Sequence, residues 1–195
     1  MKKINFTGSL LLMMFGLVSP LNAADYAIDI KGAHAFIQFK IKHLGYSWLV
    51  GRFNKFDGKF SYDEKKPAAT KVLVNIDTSS IDSNHAERDK HLRGKEFLNV
   101  GKFPTAKFVS SAYEVSSKGK GKLKGHLTLH GVTKLITIEV EHIGHGADPW
   151  GGYRSGFQGS VNLTLKDFGI NYNLGPASKV VQMFLSVEGI RKKKI

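Results

Sequence analysis

The chain reads as an all-β protein, a single antiparallel barrel of about eight strands with one short helical lid. Three observations point there. Apolar and polar residues alternate with a period of two through most of the sequence, as in sheets with one buried face. Glycine and proline punctuate these runs at short, regular intervals. Only one stretch, Asn84 to Phe97, carries a helical pattern, and no strand–helix–strand alternation appears. Such a pattern suits an antiparallel barrel or sandwich, and a barrel removes exposed sheet edges.

The first residues stand apart. Lys2 and Lys3 precede an apolar run from Leu10 to Val18 that is too short to span a bilayer, and Leu21-Asn22-Ala23 suits signal cleavage. Residues 1–23 are therefore expected to be a secretory signal and 24–195 a single domain, long enough for a real core. The formal charge of +13, from 29 basic and 16 acidic residues, favours anionic partners such as a membrane surface or phosphate groups. No nucleic-acid recognition module is evident, and an exported address argues against that partner. The absence of cysteine removes disulfides and thiolate metal sites.

Tyr26, Ile28 and Ile30 make a short first strand. Ala35, Ile37, Phe39 and Ile41 alternate with Gln38, Lys40 and Lys42 in a second. The segment His43 to Phe53, with Tyr46 and Trp48 between two glycines, is expected to cross one end of the barrel. Phe56, Gly58, Phe60 and Tyr62 resume the alternation, and the phase change after Phe53 suggests a bulge. A turn around Pro67 leads to Val72, Val74 and Ile76.

The helical stretch follows. Ser83 or Asn84 can cap it, Glu87 sits where a capping box takes an acid, and Gly94 is a natural stop. A helix this short needs something to lie on, so it is expected to cover one mouth.

Beyond it, Ala106 and Phe108 face inward, and Lys118 to Gly121 forms a hairpin turn. Leu123, Leu127 and Leu129 follow, then Ile136, Ile138 and Val140. Gly144 to Gly152 reads as a loop. Phe157, Val161, Leu163 and Leu165 share an inward face. The last strand turns Val181, Met183, Leu185 and Val187 inward, and Arg191 to Lys194 is a basic tail.

The inward faces mix large apolar residues with small ones such as Ala35, Gly58, Ala106, Gly125 and Gly159. Core packing explains any single residue, but together they suggest an elongated apolar cavity, in which small residues leave room for a ligand. The histidines give no convincing metal site. His85, Asp89 and His91 do not follow the His-Glu-x-x-His pattern, and His126 and His130 lie on an outward face. No catalytic nucleophile is marked, since there is no Cys and no Gly-x-Ser-x-Gly. Glu87, Arg88, Asp89 and Arg93 read more readily as a charged network tying the lid to the rim than as catalytic groups.

Several motifs carry a family resemblance. They include His34-Ala35-Phe36, His43-Leu44-Gly45-Tyr46-Ser47-Trp48 and Asn84-His85-Ala86-Glu87-Arg88-Asp89-Lys90-His91-Leu92-Arg93. Leu127-Thr128-Leu129-His130-Gly131-Val132-Thr133-Lys134, Asp148-Pro149-Trp150-Gly151-Gly152, Lys166-Asp167-Phe168-Gly169 and Leu174-Gly175-Pro176-Ala177-Ser178 continue it in order. Through them the chain resembles the YceI family of exported, polyisoprenoid-binding proteins. The resemblance implies a lipocalin-like barrel, often dimeric, in the periplasm, binding a polyprenyl phosphate or a quinone tail and serving carriage, storage or stress response.

The expectation is a non-enzymatic lipid-binding protein with no cofactor beyond its bound isoprenoid lipid or quinone and no metal. The apolar chain would lie among Ile37, Phe39, Trp48, Phe60, Val74, Phe108, Leu129, Ile138, Phe157, Val161, Met183 and Leu185. The head group would meet His85, Arg88, His91 or Arg93 at the mouth. The rival readings are a lipid hydrolase or isomerase using the segment from His85 to Arg93, and a basic module docking on anionic membrane.

Overall fold

The structure, a computed structural model, describes residues 23–192. The expected signal segment apart from Ala23, and Lys193 and Lys194 of the basic tail, lie outside them. Eleven strands form one antiparallel sheet. In chain order these are β1 (Ala24–Ile28), β2 (Phe36–His43), β3 (Ser47–Phe53), β4 (Phe56–Tyr62), β5 (Lys71–Asp77) and β6 (Ile81–Asp82). The helix α1 (Ala86–Arg93) comes next, followed by β7 (Thr105–Ser117), β8 (Lys120–Leu129), β9 (Val132–Ala147), β10 (Tyr153–Thr164) and β11 (Val180–Arg191).

Eight of the strands close a ring in the order β1-β4-β5-β7-β8-β9-β10-β11, which the β1–β11 pairing seals. The barrel is thus as the alternation predicts. The three additional strands, β2, β3 and β6, extend the wall on the free edge of β11. They arise because three stretches of chain bend and change partner: β1 into β2, β3 into β4, and β5 into β6. The bulge expected near Phe53 is the break between β3 and β4, where Asn54 donates its N–H to the Ser80 carbonyl.

β11 is the seam. Residues 182–186 pair with β2 and residues 189–191 with β1. Between them the chain loops out through residues 29–35. Asp29 sits at that gap, 4 % exposed at its side chain, and accepts from Gly32 N–H (2.8 Å), His34 Nδ1 (2.9 Å) and Arg154 Nη1 (2.7 Å). Arg154 also donates to Glu188 (2.5 Å) and Asp148 (2.8 Å). The hydrogen bond from His34, then those from Arg154 and Gly32, hold the Asp29 carboxyl down to about 2. The three carboxylates in turn push the Arg154 guanidinium further up.

Two expectations about segments are corrected. His43 to Phe53 does not cross an end; it is a hairpin whose second strand is β3, paired with β2 in register from Ile37–Phe53 to His43–Ser47. Its alternation is masked because Gly51 occupies an inward position. The region from Gly144 is not all loop either, since β9 runs to Ala147 and only a short turn held by Asp148 remains.

Helix α1 is shorter than the charged stretch that announces it. Its N-cap is His85, not Ser83 or Asn84: His85 Nδ1 accepts from the Arg88 N–H at 3.2 Å. Asn84 takes a left-handed φ of 62° to bring His85 there. Gly94 ends the helix as expected, with its N–H on the His91 carbonyl. Glu87 closes no capping box and lies exposed, 3.9 Å from Lys90.

Candidate functional site

The inward alternation of each strand builds the interior directly. Val72, Val74 and Ile76 of β5, Ile136, Ile138 and Val140 of β9, and Met183, Leu185 and Val187 of β11 all line one apolar chamber. Its volume is about 160 Å³. A second chamber of about 440 Å³ lies towards α1, with Phe39, Ile41, Leu129 and Val181 on its strand walls. The upper space alone falls in the range of ordinary ligand sites, roughly 300–1,000 Å³. Ile76, Leu127, Leu163 and Met183 line both chambers and form the waist between them.

The sequence-predicted chain-binding residues divide accordingly. Ile37, Phe60, Val74, Phe108, Ile138, Phe157, Val161, Met183 and Leu185 line the lower chamber. Phe39, Leu129 and again Met183 line the upper one. Trp48 lines neither. It pairs across the ladder with Lys42, an outward residue, so its ring lies on the outer wall. There it is 45 % exposed, with Lys40 Nζ 4.7 Å and Lys42 Nζ 5.7 Å from its centre.

The small inward residues do not act as expected. A Cβ on Gly125 would stand 2.5 Å from Phe108 Cζ, and one on Gly58 would stand 2.6 Å from Ile28 Cδ1. The space is already filled by a neighbour's large side chain. These glycines seat the wall; they do not enlarge the cavity.

At the α1 end the mouth is roofed by Leu92, Phe97, Leu98, Ile170, Tyr172 and Leu174, which period-two reading of the strands could not reach. His91 lies edge-on to Phe97 (5.0 Å) and Tyr172 (5.4 Å), and its Nε2 meets Glu96 at 2.8 Å. Arg88 also lines this chamber. Its Nε donates to Ser83 Oγ (2.7 Å) and Nη2 to the Ser83 carbonyl (2.6 Å). Its remaining terminal nitrogen has no protein partner among the described residues.

His85 and Arg93, the other two residues expected at the head group, lie elsewhere. His85 is committed to the helix cap, and Arg93 reaches the carbonyls of Ser79 and Ile81 at 3.4 Å, tying α1 to β6. Asp89 is buried and accepts from both the N–H (2.8 Å) and the hydroxyl (2.5 Å) of Ser83. One serine thus links Arg88 and Asp89, so the anchoring runs through Ser83 instead of a direct ion pair. His43 is a mouth residue the sequence reading left out. The run Ile37, Phe39, Ile41 points to it, since the next inward position is residue 43.

At the opposite end, His142 packs behind Tyr62 and Phe157, two residues of the lower chamber's wall. It packs on Phe157 (4.7 Å), Tyr62 (5.1 Å) and His145 (5.3 Å), and meets the fully buried Ser155 hydroxyl at 3.2 Å. Burial, then the neighbouring His145, pushes its imidazole below the ordinary range. Burial likewise raises the Tyr62 phenol. Asp29, His34 and Glu188 could in principle ligate a metal. However, one nitrogen of Arg154 lies against both carboxylates, so a guanidinium occupies the centre of that cluster.

A closed antiparallel barrel with an apolar two-part interior, a helix over one mouth and a cation at that mouth defines the class of small calyx-like β-barrels. Within it, the YceI-like domain family matches residues 26–188, and the chain belongs to that family. A UPF0312 protein of Pseudomonas paraeruginosa is 63 % identical over 171 residues, covering 87 % of this chain and 88 % of the relative. The crystal structure of the Campylobacter jejuni YceI protein superposes with a TM-score of 0.71 at 28 % identity, covering 78 % of this chain and 91 % of that one. A polyisoprenoid binding domain from Saccharophagus degradans has the same fold, with a TM-score of 0.65 at 15 % identity over 87 % of this chain and 99 % of that one.

Proposed function

We propose that the protein binds one long isoprenoid-type lipid, a polyprenyl phosphate or a quinone tail, and carries or stores it in the periplasm without transforming it. The observation that carries this reading is the pair of apolar chambers, one reaching Val187 and the other roofed by Leu92, that share Ile76, Leu127, Leu163 and Met183 in their walls. Walls of this kind, with few polar groups, suit an acyl or prenyl chain. The polyisoprenoid-binding name of a protein with the same fold supports the ligand class.

The chain would thread the waist with its head at Arg88 and His91. The spare N–H of Arg88 suits a phosphate, because charge-assisted bonds are the stronger kind. A part in stress response would follow from protecting or supplying such a lipid. The membrane that holds the lipid is the natural partner of such a carrier.

Native mass spectrometry of the exported protein, followed by organic extraction, tests the reading. A co-purifying species that extracts as a prenyl lipid is expected. An empty protein that also refuses added polyprenyl phosphate and quinone would overturn it.

A further inference from the structure

The hairpin joining β2 to β3 projects beside the mouth. His43 and Leu49, on either side of its turn, line the upper chamber, while the turn itself faces solvent. Tyr46 is 89 % exposed and Leu44 59 % exposed. The backbone there is held firmly. Leu44 and Gly45 take left-handed φ values, and Ser178 donates its hydroxyl to the Lys42 carbonyl (2.5 Å). A fixed turn that holds a tyrosine and a leucine out in water is not explained by packing.

The outer face continues the pattern. Trp48, Val50 and Phe184 lie exposed on it, with Lys40 and Lys42 at the tryptophan ring. Lysine dominates its charge near the turn, while Asp82 of β6, at the end of β3 away from the turn, is matched by Arg52 at 3.4 Å. No aspartate or glutamate occurs in residues 30–56 or 168–187, which supply β2, β3 and the adjoining part of β11, whereas Lys40, Lys42 and Lys179 are exposed there. Tyrosine and tryptophan with flanking lysines is the side-chain set that settles at a bilayer's headgroup level. Lysines near that plane add attraction to anionic lipids.

We propose that this hairpin is a membrane-docking tip, which seats Leu44, Tyr46 and Trp48 in the headgroup region of an anionic bilayer. The mouth at His43 then faces the lipid it loads or delivers, so the chain passes between membrane and barrel without crossing open water. This use of the tip rests on the lipid-binding reading above, but bilayer docking itself can be measured separately from ligand uptake.

The chain has two tryptophans, so Trp150→Phe leaves Trp48 as the sole reporter. That protein would be mixed with vesicles of phosphatidylcholine alone or with phosphatidylglycerol added. With phosphatidylglycerol present, Trp48 emission is expected to move to the blue and to be quenched by brominated acyl chains. Tyr46→Asp, and separately Lys40→Ala with Lys42→Ala, should each lower vesicle partition by about tenfold. Both variants should still take up detergent-dispersed polyprenyl phosphate as the parent does.

Unchanged Trp48 emission on the anionic vesicles, or variants that bind them as well as the parent, would overturn the proposal. So would a Trp48 shift that follows protein concentration without vesicles and accompanies a doubled mass, which would make the face a contact between two copies. Vesicle docking at the tip without any lipid uptake would sustain the docking surface and remove the carrier reading.

Discussion

Phe108 of β7 occupies the space that a side chain on Gly125 of β8 would need: a Cβ there would stand 2.5 Å from Phe108 Cζ and 2.6 Å from the Val109 carbonyl oxygen. One contact is a ring and the other is backbone, so only the ring can give way, and it faces the lower chamber.

Gly125→Ala is therefore expected to destabilise the barrel by about 1–3 kcal/mol through overpacking. It should also reduce lipid uptake by driving Phe108 into the chamber. Gly144→Ala, where a Cβ meets nothing within 4 Å, is the control. Urea titration of both variants checks this. Equal midpoints would show that the wall absorbs the methyl group freely.

Met183 lines both chambers, so Met183→Trp should close the waist. The prediction is a shortened chain, not lost binding. Lipids extracted from the variant should be shorter than those from the parent, or long ones should bind several-fold more weakly. Extraction of the same full-length lipid with the same occupancy would refute the threaded placement.

His85 serves as the N-cap of α1, and losing such a cap costs about 1 kcal/mol. His85→Ala is expected to lower stability by that amount and to speed ligand release by loosening the lid. Thermal melts and dissociation kinetics read the two effects. A hydrolase built on this segment would instead lose turnover of a lipid ester at unchanged stability.

The His142 imidazole is held below its ordinary value of 6.5, whereas the unfolded chain titrates at that value. The unfolded state therefore binds its proton first as pH falls. The stability that neutral His142 contributes is complete above about 6.5 and is lost as pH drops through the lower folded value. Tyr62, Phe157, Ser155 and His145 face the ring, with Glu64 nearby partly offsetting the effect. Melting temperatures from pH 7 to 5 should fall, and His142→Phe should flatten that fall. Parallel profiles for the two proteins would count against a titrating role.

Much of this architecture is legible in the sequence because period-two patterning reports a local property. Ile37, Phe39 and Ile41, or Val181, Met183, Leu185 and Val187, show their inward face without knowledge of their neighbours. Trp48 escapes that reading because Gly51 stands between the inward Leu49 and Phe53 and breaks their alternation, leaving the large outward residue as the conspicuous one. The small inward residues mislead for a different reason. Whether Gly125 leaves a void or seats a ring depends on a strand paired from elsewhere in the chain. The roof over the mouth draws on separate segments around Leu92, Phe97 and Tyr172, and no spacing rule joins them. The same holds for Asp29 and Arg154, which lie 125 positions apart.

The seam along β11 also bears on how the chain folds. β7, β8, β9 and β10 pair with their sequence neighbours as a meander, so each hairpin can form with little loop to close. β1 finds β11 only by joining Tyr26 to Arg191, across nearly the whole domain. Ring closure is thus the entropically expensive step and should come late. Pulse-labelling hydrogen exchange during refolding should show β7–β10 amides protected before those of β1. Until the seam shuts, the chain is an open curved sheet with its greasy face bare, a form in which a hydrophobic guest could be wrapped by the closing wall without having to squeeze past α1.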